Sequence, residues 1–252
     1  MLHTCTRFSL LLAVSVFCVA PLAAQAILID DFNESQLGGS VNFGGTSSSD
    51  FPGLPGVVGG TRRAGLSFTG SVAAGNAGAD VRLSVDDPGS GTDDILRFWA
   101  NPPSFSTGTL FYLLDGSNFL CCFGAITAAD VIPNGLGSID LTEGGTHTGF
   151  GFVKGNISAP TQVTLTVYDS SANDGTNTAH TFSLSGSGSE VVPFSFFDDS
   201  ILADAGAITL FVELPDLGNF ELHNWETVPE PAPALLLAPL ALALIALRRR
   251  IG

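Results

Sequence analysis

Basic residues are scarce in this chain. Of its 252 residues nine are Lys or Arg, against 24 Asp and Glu, and three of the nine are clustered near the C-terminus as Arg248, Arg249 and Arg250. Between Ile27 and Val228 the imbalance is sharper: 23 acids less five bases (Arg62, Arg63, Arg82, Arg97 and Lys154), a net charge of −18. Such a body repels phosphate backbones and anionic lipid surfaces, which argues against nucleic acid as a partner. The acidity suits a soluble exported protein, and it can attract divalent cations or cationic polymers.

Cysteine is nearly as rare. Cys5 and Cys18 lie within the first 26 residues, which leaves the adjacent pair Cys121 and Cys122 for the body. Two neighbours cannot build a disulfide framework. Three readings of the pair stay open: a strained vicinal disulfide, two reduced thiols, or a link to another chain. Neighbouring thiols point apart in a strand, and no His–Cys cluster is near in sequence, so a metal site there is not expected.

The residues of catalysis are also thinly spread. His3, His147, His180 and His223 have no metal-ligand spacing such as H-x-x-x-H. No G-x-S-x-G elbow occurs. Paired carboxylates occur at Asp86/Asp87, Asp93/Asp94 and Asp198/Asp199, the first beside Pro-Gly and the last beside Ser. They read as turns before they read as glycosidase acids. No catalytic residue and no required cofactor are expected.

No convincing helix of ten or more residues appears in the body. Glycine, serine, threonine, asparagine and aspartate separate short β-type runs. Expected strands are Ile27–Phe32, Gly65–Thr69, Asp80–Val85, Ile95–Ala100, Thr109–Leu114, His147–Val153, Gln162–Tyr168, Ala179–Leu184, Val191–Phe196, Ala207–Leu214 and Phe220–Trp225. Val163, Leu165 and Val167 alternate with Thr164, Thr166 and Tyr168, the signature of a half-buried antiparallel strand. Asp169–Gly175 reads as a hairpin turn, with Asp174-Gly175 as the tight bend. Gly38–Gly60 reads as a long loop or weakly paired edge. The fold class expected is all-β: a single antiparallel β-sandwich over residues 27–226.

The two ends carry addresses. Arg7 precedes an apolar run from Phe8 to Val19, and Pro21 and small residues lead to Ala24-Gln25-Ala26. This is the pattern of a secretory signal peptide over residues 1–26, with Ala24 and Ala26 at the cleavage site and maturation near Ile27. Its partners are the secretory translocon and signal peptidase. Residues 227–252 hold Pro229-Glu230-Pro231, an uncharged run from Ala232 to Leu247, then Arg248-Arg249-Arg250. The prolines make a stiff extended lead-in. The run reads as a transmembrane helix over 232–247. It is short, about 24 Å at 1.5 Å per residue against a bilayer core of ~30 Å, and suits a temporary anchor. The arginines stop transfer on the cytoplasmic side.

That order of tripeptide, span and basic stop resembles a PEP-CTERM sorting signal, a resemblance covering about the last 25 residues. It implies an exosortase as partner, anchoring in the inner membrane during transit, processing at Pro229, Glu230 and Pro231, and then a cell-surface or extracellular place. The role it implies is non-catalytic, structural or adhesive, in the envelope or the exopolysaccharide of a biofilm.

A second resemblance spans most of the body. Leu28–Phe32, Ile139–Thr142, Phe150–Gly155, Val163–Asp169, Val191–Phe197, Ile208–Leu214 and Phe220–Trp225 follow an order similar to jelly-roll modules of the galactose-binding-like class. Many of these bind carbohydrate, which makes a lectin-like module the alternative function. Those modules often finish on Ile-Asp-Asn, and here Leu222-His223-Asn224 lacks the aspartate. Sugar faces stack on flat aromatics, and Trp99 and Trp225 are the candidates. Structural calcium has three candidate sites: Asp30 and Asp31 with Glu221, the Asp86–Asp94 loop, and Asp169–Gly175, although the last fails the EF-hand pattern at Asp174 and His180.

Overall fold

A computed structural model of the chain describes residues 25–32, 40–42, 46–70, 80–86, 95–100, 106–116, 128–171, 175–214 and 218–230. Ala26–Val228 form one compact unit. The strands are β1 (Leu28–Asp30), β2 (Ser40–Asn42), β3 (Thr46–Pro52), β4 (Thr61–Gly70), β5 (Asp80–Asp86) and β6 (Ile95–Ala100). They continue as β7 (Ser106–Leu114), β8 (His147–Asp169), β9 (Asn177–Pro193), β10 (Ala205–Leu214) and β11 (Asn219–Pro229). The fold is all-β, and the strand pairs described are antiparallel.

The sheet runs β2-β5-β6-β11-β8-β10-β7-β4-β3, with β1 added on β11 and β9 on β8. It curls around one core, in keeping with a β-sandwich. Tyr112 of β7 meets Trp225 of β11 at 6.5 Å between ring centroids, which brings strands from different parts of the sheet to a common interior. Phe98, Leu110, Phe150, Phe152, Leu165, Leu210 and Phe220 are all fully buried there. Each such side chain contributes about 1.5–3 kcal/mol on burial.

β8 turns the sheet. Two expected strands, His147–Val153 and Gln162–Tyr168, are one strand of 23 residues. Its partner likewise merges Ala179–Leu184 with Val191–Phe196 into β9, of 17 residues, and ends at Pro193, where Phe194–Phe196 form a 3₁₀ turn. Glycine and proline in the middle suggested loops, but they make bulges. The β8–β9 register slips between Lys154 and Ile157 and again between Ile157 and Thr161. Opposite these slips Gly186 (φ 63°) and Gly188 (φ 102°) take left-handed conformations that side-chain-bearing residues avoid. Lys154 fastens the bend, its Nζ 3.0 Å from the Ser185 carbonyl oxygen and 2.6 Å from Glu190 Oε2.

Other expectations hold closely. Val163, Leu165 and Val167 are buried while Thr164 and Thr166 are half-buried, but Tyr168, expected on the side of the threonines, is buried as well. The hairpin after β8 is present: Tyr168 pairs with Asn177, and the Asp169 N–H donates to Thr176 O at 3.0 Å. Gly38–Gly60 contains β2 and β3, which lie at the two ends of the strand order. β4 begins earlier than Gly65 because Arg62 and Arg63 lie within it, buried and each beside a carboxylate.

Among the described residues no helix is long and apolar enough to cross a membrane. The span 232–247, the arginines Arg248–Arg250, the signal segment through Ala24, Pro231, and Cys121 and Cys122 lie outside the described residues. Pro229 is the last residue of β11, and Glu230 after it is exposed.

Candidate functional site

The site follows from the alternation of β6 and β11. Leu96 stands opposite Leu222, and Phe98 opposite Phe220, all four fully buried. Strand parity then turns the residues between them to the other face. Arg97 stands opposite Glu221, and Arg97 Nε lies 3.0 Å from Glu221 Oε1. Trp99 stands opposite Asn219, two residues on from Arg97, and so at a position of the same face.

Glu221 organises this face. Its Oε2 accepts the Asn156 N–H at 2.8 Å, and its Oε1 accepts from Asn219 Nδ2 at 3.1 Å. Asn219 Nδ2 also donates to Asn156 O at 3.0 Å, and the Asn219 N–H donates to Ser158 Oγ at 2.8 Å. Partial burial pushes the Glu221 carboxyl upward, but these donors and the Arg97 guanidinium outweigh it and hold the group below its ordinary range. The carboxylate is therefore charged and fixed at neutral pH. Asn156 and Ser158 belong to the bulged stretch of β8, so the bend that shapes the sheet also delivers two polar residues to the site.

A glycine makes room for the cluster. A Cβ at Gly155 would lie 2.7 Å from His223 Nε2 and 2.8 Å from both Cβ and Oε2 of Glu221. Only glycine lets the two β11 side chains lie this close over β8. The result is a face of guanidinium, carboxylate, the Asn219 amide and the Ser158 hydroxyl, held in position with the help of the Asn156 backbone. These groups suit vicinal hydroxyls, which both donate and accept hydrogen bonds.

The basic residues are used sparingly throughout. Arg62 pairs with Asp30, Arg63 with Asp115, Arg97 with Glu221 and Lys154 with Glu190. Of these cations Arg97 is the most open, with 39% of its side chain exposed.

Two expectations need correction. Trp225 is fully buried, stacked on Phe152 at 5.6 Å and 21°, so it is a core residue and cannot stack on a sugar. The β11 alternation slips at His223 and Asn224, both half-buried, so that Trp225 faces inward like Phe220 and Leu222 although it stands an odd number of residues from them. The set Asp30, Asp31 and Glu221 is not one ligand cluster. Asp30 is buried among Arg62, Tyr112 and the Phe32 N–H, which lies 2.8 Å from Asp30 Oδ1. Asp31 is half-buried with its carboxylate over Gly56, and Glu221 belongs to Arg97. Among the described residues no three His, Cys, Asp or Glu side chains stand together as a metal site.

The acidic turns resolve into structural roles. Asp198 caps the helix Asp199–Leu202, accepting the Ser200 N–H at 2.9 Å. Asp169 Oδ1 accepts the Ser171 N–H at 2.8 Å at the end of β8. Asp87, Asp93 and Asp94 lie outside the described residues. His147 is buried against Thr227 Oγ1 at 2.8 Å, and His180 stacks on Phe196.

Sequence reasoning named Glu221 for calcium and missed its partners Arg97, Asn219, Asn156 and Ser158. The alternation of Leu96 and Phe98 with Arg97 and Trp99 carried the signal for the face. The pairing that joins it to Asn156 and Ser158 is not local and left none.

No protein-family model matches the chain, and no curated protein matches it. Solved structures do. CtCBM11, known from its solution structure and binding studies, is similar at 11% identity and a TM-score of 0.39, over 84% of this chain and 99% of that one. TmCBM61, solved in complex with beta-1,4-galactotriose, is similar at 13% identity and a TM-score of 0.31, over 66% of this chain and 88% of that one. The C-terminal family 22 carbohydrate-binding module of Clostridium thermocellum Xyn10B is similar at 11% identity and a TM-score of 0.27, over 84% and 98% of the two chains. At these levels the residues of one chain do not transfer to another.

Proposed function

We propose that the body is a non-catalytic carbohydrate-binding module of jelly-roll type, and that its ligand is a neutral polysaccharide outside the cytoplasm. The observation that carries this reading is the fixed network of Arg97, Glu221, Asn219, Asn156 and Ser158 on one sheet face, with Trp99 at the adjoining register position. Sugar sites combine a flat aromatic with a few placed hydrogen-bonding groups, and planar amides, carboxylates and guanidinium groups supply them. The net charge of the body disfavours anionic polymers, and the hydrogen-bonding groups of the face suit the hydroxyls of a neutral one.

Native electrophoresis of the full chain, in mild detergent, through gels containing galactan, xylan or hydroxyethyl cellulose tests the reading. Retardation of the parent chain in a neutral polymer, lost in Glu221→Gln, is the expected result. Equal mobility in all gels would overturn it.

The terminal segments support a second, compatible reading of delivery. Ala24-Gln25-Ala26, Pro229-Glu230-Pro231 and Arg248–Arg250 stand in the order of an exported, exosortase-sorted surface protein. Its role would be adhesive or structural in exopolysaccharide, which a carbohydrate-binding body would serve. Intact mass of the native protein tests this. A species from about Ile27 to the Pro-Glu-Pro is expected, and one retaining Arg248–Arg250 would mean a plain anchor.

A further inference from the structure

We infer that Phe196 is a second stacking position for a sugar ring, an inference that rests on the carbohydrate reading above. Among the described residues Phe196 is the most exposed large hydrophobic, at 52%. A single exposed apolar residue is ordinary. What sets this one apart is that its ring is fixed.

His180 lies parallel to it, with centroids 4.1 Å apart and 6° between the planes. Phe182 continues the stack on His180 at 6.0 Å and 13°, and packs in turn against Phe152 at 5.6 Å. The chain on both sides of Phe196 is anchored. Phe194 and Phe197 are buried edge-on to Phe150 at 4.9 Å and 5.4 Å. The far end of the turn is tied to β9, where Thr178 Oγ1 accepts the Asp198 N–H at 3.1 Å.

The ring is thus held in place before any ligand arrives, so stacking on it loses little conformational entropy. The apolar C–H face of a pyranose matches such a surface. The surroundings are polar, with Ser195, Asp198 and Asp199 exposed, so hydroxyls at the sugar's rim remain solvated or bonded. Phe196 follows β9, which pairs with β8, whereas the Arg97–Glu221 face lies on β6 and β11. Two stacking positions on separate elements would let one chain hold a polymer at two points and raise retention by avidity.

The test uses the same gels and the full chain, with Phe196→Ser and Phe196→Tyr. The serine variant is expected to lose about tenfold in apparent affinity, the upper end of what one aromatic contact supplies. The tyrosine variant keeps the ring and is expected to keep the affinity. Unchanged affinity in Phe196→Ser, where Glu221→Gln loses it, overturns this inference and leaves the carbohydrate reading standing. Equal loss in both Phe196 variants also overturns it, because the ring face would not be the cause. Absence of any retardation of the parent chain overturns both.

Discussion

Arg62 and Asp30 hold one another with both side chains at 0% exposure, Arg62 Nε lying 2.9 Å from Asp30 Oδ2. Tyr112 completes the group, its hydroxyl donating to the same Asp30 oxygen and accepting from Arg62 Nε at 2.8 Å. The cluster ties β1 to β4 and β7, while along its backbone β1 pairs with β11 and Asp30 bridges to Val57. Burial by itself would weaken the arginine's hold on its proton, but Tyr112 and Asp30 reverse this and raise its pKa above the ordinary value. Burial pushes the Tyr112 hydroxyl well up, so it stays a donor.

Breaking this cluster from one side should be severe. Asp30→Asn takes the charge of Asp30 away from a buried guanidinium, a loss of about 3–5 kcal/mol, or roughly 10 °C in Tm for a domain of this size. Tyr112→Phe removes one hydrogen bond and should cost about 1–3 kcal/mol. Thermal melts at neutral pH check the order, and an Asp30→Asn chain no weaker than Tyr112→Phe would show that the charge pair adds nothing.

Trp225→Ala should destabilise by about 3–5 kcal/mol through the cavity it leaves among Tyr112, Phe150 and Phe152. If the variant melts with the parent, the burial described here is wrong. Trp99→Ala, at the site face, is expected to lower retention on neutral polysaccharide instead.

Gly155→Ala places a methyl group against Glu221 and His223, and the Glu221 Cβ cannot swing away as a side-chain tip could. Overpacking of this kind destabilises by about 1–3 kcal/mol. Retention should fall with it, since Glu221 must shift off Arg97 and Asn156. Retention that survives unchanged would separate the ligand from this face.

Acid should loosen the fold through identifiable carboxylates. Hydrogen bonds from the Ser200 side chain and N–H lower the Asp198 pKa, and those from Ser138 and Ser170 lower that of Asp204. For Asp140 slight burial opposes, and Thr142 and the turn N–H groups prevail, so its pKa is lowered too. A lowered folded pKa means that the stabilisation is present above the unfolded value near 3.8 and disappears as pH falls through the folded one. Melting temperature measured from pH 7 to pH 2 should therefore drop below about pH 4. Asp198→Ala should be less stable than the parent at pH 7, with the gap narrowing in acid. A gap independent of pH would remove Asp198 from this account.

Much of the architecture was legible from local pattern. Val163–Val167 advertises its buried face through alternation, and Ile95–Ala100 is found at the expected bounds. Long-range pairing was less legible. Gly186, Gly188 and Pro160 look like turn residues in the chain, because a bulge and a turn use the same left-handed glycine or rigid proline. Nothing local says that the strand resumes on the other side. The buried charges were hidden for a similar reason: nothing near Arg62-Arg63 in the chain shows that β1, β7 and the residue after β7 bring up Asp30, Tyr112 and Asp115.

By itself the sequence determined the all-β class, the acidity of the body, and the terminal patterns on which the export expectation rests. These depend on composition and on residues near each other along the chain. Only the tertiary structure decided that Trp225 is core, that Asp30 serves Arg62, and that Arg97, Glu221, Asn219 and Asn156 share a face. Each of those depends on which strand lies beside which. Backbone hydrogen bonds allow many such pairings, and the buried side chains of distant strands select one.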